Sequence, residues 1–256
     1  MDSHHMSTLP RQKSDLVFIH GAWASGWAWQ KLLPHLNTEQ VNCHVISLPD
    51  SSSFNASSES QATLEDYVSS ILKQLSLIAR PAWLIAHSGG GMIATAVAEA
   101  RPRNILGIIY VAGMMLPSGR SFPELCDYVM AQGTDASGIS PYLEETLYGT
   151  QVSEAGVREV FLHDAEEHDI QAAIKNMVVQ PNAARKASVY WSPERAGRVP
   201  TFYILAEDDR SLVKAVQQEM INRTPPQRVL TLPCGHFPQI VMPEALARYI
   251  TEIISP

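Results

Sequence analysis

The sequence predicts an α/β fold, a mainly parallel sheet with helices on both faces and an inserted helical cap. Three observations predict it. Short β-branched and aromatic runs alternate with stretches of helical period, the βαβα order that buries a parallel sheet on both faces. One apolar run, Ala82-Trp83-Leu84-Ile85-Ala86-His87, stops at Ser88 and three glycines, as a strand does where it turns sharply into a helix. From Met114 to about Trp191 the strand signal lapses and helical patterns take over. A chain of 256 residues, 45% hydrophobic and 18% charged, suits one sizeable core with an insertion. The expected division is a flexible tail at 1–14, a sheet core at 15–114 and 192–256, and a cap at 115–191.

Each element has its own local signal. Met1 to Ser14 is polar, with His4, His5, Arg11 and Lys13 and no apolar stretch, so it reads as a loose tail and not as a signal peptide. Leu16 to Ile19 is a strand ended by His20-Gly21, and Val45 to Leu48 is a second ended by Pro49-Asp50. Between them, Trp27 to Leu33 has helical spacing and stops near Pro34 to Asn37. Ser51 to Ser60 lacks an apolar period and reads as a loop. Thr63 and Asp66 resemble a capping box, and Leu64, Tyr67, Val68, Ile71, Leu72 and Leu75 give the helix its apolar stripe. Met92 to Ala100 is a helix of small residues suited to close packing on a sheet, and Ile105 to Val111 is the next strand. In the cap, Glu154 to Leu162 and Asp169 to Val178 read as helices, with no convincing strand. Strands return at Pro200 to Leu205 and Arg228 to Leu232, and a last helix runs from Pro243 to Ile254 with proline in its first turn.

Composition narrows the function. A formal net charge of −7 and no Lys/Arg cluster argue against nucleic acid. No run approaches the roughly 18 apolar residues of a membrane helix, so no membrane partner is expected. Cys43, Cys126 and Cys234 are odd in number and widely spaced, which suggests neither a disulfide framework nor a metal site and points to a reducing, cytoplasmic home.

A serine at a strand-to-helix turn projects from the carboxyl end of a sheet, and the backbone N–H of Gly89 points beside it along the helix dipole. Taken singly, the cluster also suits an ordinary turn. Its company gives it chemistry. A serine hydroxyl needs a histidine base, and that base needs a carboxylate. Asp209 follows one late strand in Ala206-Glu207-Asp208-Asp209, and His236 follows the next in Pro233-Cys234-Gly235-His236. Asp209 is the first choice for the acid and Asp208 the next; the same cluster also suits a solvated turn. A second oxyanion donor is expected from His20-Gly21-Ala22-Trp23, Ala22 first and Trp23 next, with His20 bracing the loop. His87 reads as packing, and His163 and His168 as surface residues of the cap.

Taken together, His20-Gly21-Ala22-Trp23, Gly26-Trp27-Ala28-Trp29, His87 to Met92, Val111 to Pro117, Phe161-Leu162-His163-Asp164 and Gly235-His236-Phe237-Pro238 resemble the α/β-hydrolase superfamily. Within it they are similar to bacterial carboxylesterases related to plant methylesterases and hydroxynitrile lyases. The resemblance implies an α/β-hydrolase fold and a cofactor-free esterase on small esters, with Ser88, Asp209 and His236 as triad and Ala22 and Gly89 as oxyanion donors. Ala86 departs from the usual elbow glycine. Ala22 and Phe237 stand where the cyanohydrin-cleaving members use threonine and lysine, which speaks against lyase chemistry.

The expected function is therefore hydrolysis of a small, apolar or aryl carboxylic ester through an acyl-enzyme, with Trp23, Phe237 and Trp191 as substrate-binding candidates. Two alternatives stand beside it. One is a cofactor-free oxygenase of a heteroaromatic substrate using the His/Asp pair, and the other is a non-catalytic small-molecule receptor on the same scaffold.

Overall fold

Six runs dense in β-branched and aromatic residues form one parallel sheet in the computed structural model, which describes residues 11–49 and 62–256. They are β1 (Ser14–Ile19), β2 (Val41–Ile46), β3 (Ala82–His87), β4 (Ile105–Val111), and, after a short pair β5 (Leu143–Thr146) and β6 (Gly149–Val152), β7 (Thr201–Ala206) and β8 (Arg228–Leu232). The order across the large sheet is β2-β1-β3-β4-β7-β8, with Phe18 level with Ile85 and Tyr110 with Tyr203. The Ser51–Ser60 expectation and the first ten residues of the tail lie outside the described residues.

Side chains alternate between two covered faces. Val17, Ile19 and Leu84 pack with α1 (Leu64–Leu77) and α2 (Gly90–Ala100), while Leu16, Phe18 and Ile85 pack with Trp29, Leu32 and the last helix. The Thr63 capping box forms as expected: the Asp66 N–H donates to Thr63 Oγ1 at 3.3 Å and the Thr63 N–H to Asp66 Oδ2 at 2.8 Å. A second box, Ser121 with Glu124, opens α3 (Phe122–Ala131). The remaining helices are α4 (Glu154–Gly156), α5 (Glu167–Asn176), α6 (Asn182–Arg185), α7 (Lys214–Arg223), α8 (Pro238–Val241) and α9 (Pro243–Ile254).

Four expectations are corrected. Trp27 to Leu33 is no α-helix: two 3₁₀ turns, Gly26–Trp29 and Leu33–His35, bury Trp29 and Leu32, and Pro34 denies the segment a continuous hydrogen-bond ladder. The second strand begins at Val41, because an edge strand keeps polar Asn42 and His44 in its ladder, and it ends at Ile46. The first strand begins at Ser14 and not at Leu16, because the Ser14 N–H donates to the Gln40 carbonyl at 3.0 Å beside the edge strand. The cap is not wholly helical either. Strands β5 and β6 form an antiparallel hairpin too short and polar to show an alternating apolar signal, and α4 gives way at once to a π-helical turn, Val157–Phe161.

Candidate active site

Among the described residues, three non-glycines have positive φ: Ser88 (51°), Ala112 (41°) and Trp23 (61°). Ser88 and Ala112 directly follow β3 and β4, and Trp23 stands in the loop four residues past β1, which concentrates backbone strain on one rim of the sheet. Ser88 can hold this turn because strand and helix meet closely there. A Cβ on Gly90 would stand 2.6 Å from the Ile19 carbonyl oxygen, so the position admits no side chain. The Ser88 carbonyl accepts from Gly91 N–H at 3.0 Å and Met114 N–H at 2.9 Å, fixing the elbow from below.

The β7 and β8 loops bring Asp209 and His236 to this rim. His236 Nδ1 donates to Asp209 Oδ2 at 2.7 Å, and its Nε2 lies 3.1 Å from Ser88 Oγ. Since the carboxylate accepts at Nδ1, Nε2 is the nitrogen that accepts from the hydroxyl. All three groups are buried. Asp209 Oδ1 takes the N–H groups of Ser211 (2.7 Å) and Leu212 (3.0 Å). Asp208, the runner-up acid, is exposed, and its N–H is spent on the Cys234 carbonyl at 2.9 Å.

The loop after β1 supplies the facing wall. The Trp23 N–H turns to Gln180 Oε1 at 3.4 Å, whereas the Ala22 nitrogen faces the elbow, 3.8 Å from where a Cβ on Gly89 would sit. Among the described residues, neither the Ala22 nor the Gly89 N–H donates a hydrogen bond within the chain. His20 braces this loop, accepting from the Leu48 N–H at Nε2 and donating from Nδ1 to the Gly21 carbonyl, both at 2.9 Å. His87 is fully buried, and its Nε2–H donates to the His236 carbonyl at 2.6 Å. Burial, and then the neighbouring His236 and His20 rings, hold His87 well below the ordinary imidazole range, so it stays neutral and packs behind the base.

A cavity of about 300 Å³ opens onto Ser88, Gly89, Ala22 and Trp23. The core contributes Leu64, Met92 and Ile93 to its walls; the cap contributes Cys126, Met130 and Ile139. Burial, aided by Asp127, pushes the Cys126 thiol up to about 12, so it serves as an apolar wall. Charge on the lining comes from Asp127 and Lys186, both exposed. Of the three aromatic candidates only Trp23 lines this space; its Nε1–H donates to the Thr150 carbonyl at 3.1 Å. Phe237 does not reach the cavity. Its ring is buried against His87, Phe161 and Trp27, where an aromatic beside the base packs as core. Trp191 borders a separate cavity of about 350 Å³, with its Nε1–H on the Leu116 carbonyl at 3.0 Å. His168 is exposed as expected, while His163 reaches the Asp208 carbonyl.

Sequence reasoning missed two supports. Gln217, fully buried on α7, accepts from Ala206 N–H at 3.0 Å and donates to the carbonyls of Ala206 (2.9 Å) and Leu212 (2.7 Å), bracketing the Asp209 loop. Asp164 accepts the Gly235 N–H at 2.6 Å. A glutamine one helical turn into a polar-looking helix carries no signal of this; the Phe161-Leu162-His163-Asp164 run did carry one. No group of three or more His, Cys, Asp or Glu among the described residues is arranged to hold a metal ion. No helix among them is long and apolar enough to cross a membrane.

Methylesterase 7 of Arabidopsis thaliana is 26% identical over 250 residues, covering 93% of this chain and 95% of that protein. A pyrethroid hydrolase of Sphingobium wenxiniae is 25% identical over 259 residues, covering 93% and 87%. The chain spans only 65% of the length of a longer chloroplastic relative from Arabidopsis thaliana, at 23% identity. Among solved structures, polyneuridine aldehyde esterase superposes with a TM-score of 0.82 over 95% of this chain and all of that one, at 19% identity. The sequence model described as "Alpha/beta hydrolase family" matches residues 16–249, from the first strand into the last helix, and the chain belongs to that family.

Proposed function

We propose that the protein hydrolyses carboxylic esters, with Ser88 as nucleophile, His236 as general base and Asp209 as the carboxylate that orients it. The observation that carries this reading is the continuous hydrogen-bonded line Asp209–His236–Ser88, 2.7 and 3.1 Å, beside the Ala22 and Gly89 N–H groups, which donate to no acceptor among the described residues. The named activities of the methylesterase and pyrethroid hydrolase relatives support it.

In this mechanism His236 Nε2 takes the Ser88 proton as Oγ attacks the ester carbonyl. The Ala22 and Gly89 N–H groups hold the oxyanion, and the positive end of α2 adds to the field there. Asp209 holds the tautomer that leaves Nε2 free to accept and stabilises the imidazolium that forms. His236 then returns the proton to the departing alcohol, and Ser88 keeps the acyl group. Water, deprotonated by His236, releases the acid. Ala22 is preferred over Trp23 as second donor because the Trp23 N–H already faces Gln180.

The walls favour an ester with an apolar arm about the bulk of an aryl group. The three free cysteines fit a reducing, cytoplasmic setting. Hydrolysis of p-nitrophenyl acetate and butyrate by the wild type, abolished in Ser88→Ala, is the expected result. Turnover that survives Ser88→Ala, or oxygen uptake with a heteroaromatic substrate in its place, would refute the esterase reading.

A further inference from the structure

We propose that His163 and Asp164, carried by the cap, are positioning residues that latch the Asp209 loop to the His236 loop. The proposal rests on the triad reading above. Its starting point is the π turn Val157–Phe161, a rare geometry whose extra residue per turn re-aims the chain beyond it. Just beyond Leu162, His163 and Asp164 meet the two loops. His163 Nε2 donates to the carbonyl of Asp208 at 2.9 Å, and Asp164 Oδ2 accepts the N–H of Gly235 at 2.6 Å. Adjacent cap residues thus grip the backbone one residue before the acid and one residue before the base.

Three further observations favour a latch over an incidental contact. A Cβ on Gly235 would stand 2.8 Å from both His163 Nε2 and Asp164 Oδ1, so the pair closes directly over this position and a side chain there would push it aside. The Phe161 ring lies nearly parallel to the His236 imidazole, 22° between planes and 5.2 Å between centroids, limiting how far the base can swing. Arg210, next to the acid, sends Nη1 back to the Glu159 carbonyl at 3.0 Å, so the grip runs both ways. The Gly235 bond is to a carboxylate and therefore charge-assisted, the stronger class of hydrogen bond. Losing it frees the base loop by a fraction of an ångström, enough to lengthen the line to Ser88.

The test compares Asp164→Ala, Asp164→Asn and His163→Ala in the full chain. Asp164 is exposed, so its substitution opens no core cavity, and circular dichroism and Tm check that each variant is folded before kinetics. Turnover of p-nitrophenyl butyrate is measured per active site titrated with a fluorophosphonate, alongside the downfield proton resonance of the His236 Nδ1–H. Asp164→Ala is expected to lose about tenfold in kcat per titrated site with KM held within about threefold, and to broaden that resonance. His163→Ala should act in the same direction. Asp164→Asn should recover most of the loss, because its amide oxygen still accepts the Gly235 N–H. Unchanged kcat per site with only a lowered Tm, or an unaltered Nδ1–H resonance, overturns the latch. Turnover surviving in Ser88→Ala refutes the triad reading by itself, and the Nδ1–H resonance then decides the latch independently.

Discussion

The sheet rim and the cap meet at one cavity, yet they are held by different physics. On the rim, Ser88, Asp209 and His236 are buried; the Ser88 N–H donates to the Val111 carbonyl at 3.3 Å, the Asp209 N–H to the Ala206 carbonyl at 3.4 Å, and the His236 carbonyl accepts from His87. In the cap, the ties between elements include exposed pairs such as Arg158 with Glu167 (2.8 Å) and Tyr142 with Glu159 (2.8 Å), which water and salt weaken. On the rim, strand ends and tight turns set where Ser88, Asp209 and His236 stand, whereas the 115–191 segment supplies Cys126, Met130 and Ile139 to the cavity wall. The exception is the His163-Asp164 segment, where the cap reaches into the rim.

The largest break in this comparison comes from the two neighbouring aspartates. Asp209→Asn should cost about 10,000-fold in kcat, since it favours the wrong tautomer of His236 while keeping the shape. Asp208→Asn, with its side chain in solvent, should stay within about threefold of wild type. Parallel steady-state kinetics decide it; equal losses would remove the distinction drawn between them.

Next comes Gly21→Ala. Its Cβ would stand 2.8 Å from Ser88 Cβ, pushing the Ala22 loop off the elbow. A loss of about 100-fold in kcat with KM little changed is expected, the scale of one oxyanion donor. A change in KM alone would mean the loop only binds substrate.

A cap substitution should be selective. Cys126→Phe fills the apolar wall, so about tenfold in kcat/KM should be lost for a bulky aryl ester and little for an acetate. Equal losses on both substrates would show that the wall does not set size.

The smallest effects concern stability. Burial pushes the Asp15 carboxyl up, and hydrogen bonds from Arg80, His44 and Asn42 together overcome this and hold it below its usual value. A lowered folded-state pKa gives stability that is full above the unfolded value, about 4, and is lost as pH falls through the folded one. Asp15→Asn should cost about 2 kcal/mol at pH 7 and flatten the loss of stability below pH about 4. Glu167 is also held low, at about 2, chiefly by Arg158, but it stands in solvent on the cap. Glu167→Gln should leave the denaturation midpoint unmoved. Urea titrations across pH 3 to 7, about the range that brackets the carboxylate transition, compare the two.

The rim was the legible part of the sequence. Strands β3, β4 and β8 are continuous apolar or β-branched runs, and the elbow announces itself because only small residues fit between Ile19 and the start of α2. Local pattern could rank Asp209 over Asp208 but not decide between them, because the choice depends on the Asp208 N–H pairing with Cys234 from another loop. Trp191 and Phe237 were visible only as large apolar residues; the face each presents is set by packing across the chain. The β5–β6 hairpin left no trace, since Leu143-Glu144-Glu145-Thr146 does not alternate. His163 and Asp164 stood in a noticed run, but the π turn that aims them has no sequence signature.

The most direct test of the central claim is fluorophosphonate labelling of wild type and His236→Ala, with the modified residue located by peptide mass spectrometry. A hydroxyl activated by this line of hydrogen bonds predicts rapid labelling at Ser88 alone, slowed by three or more orders of magnitude, roughly, without the base. Labelling elsewhere, or at Ser88 with equal speed in both proteins, would contradict it.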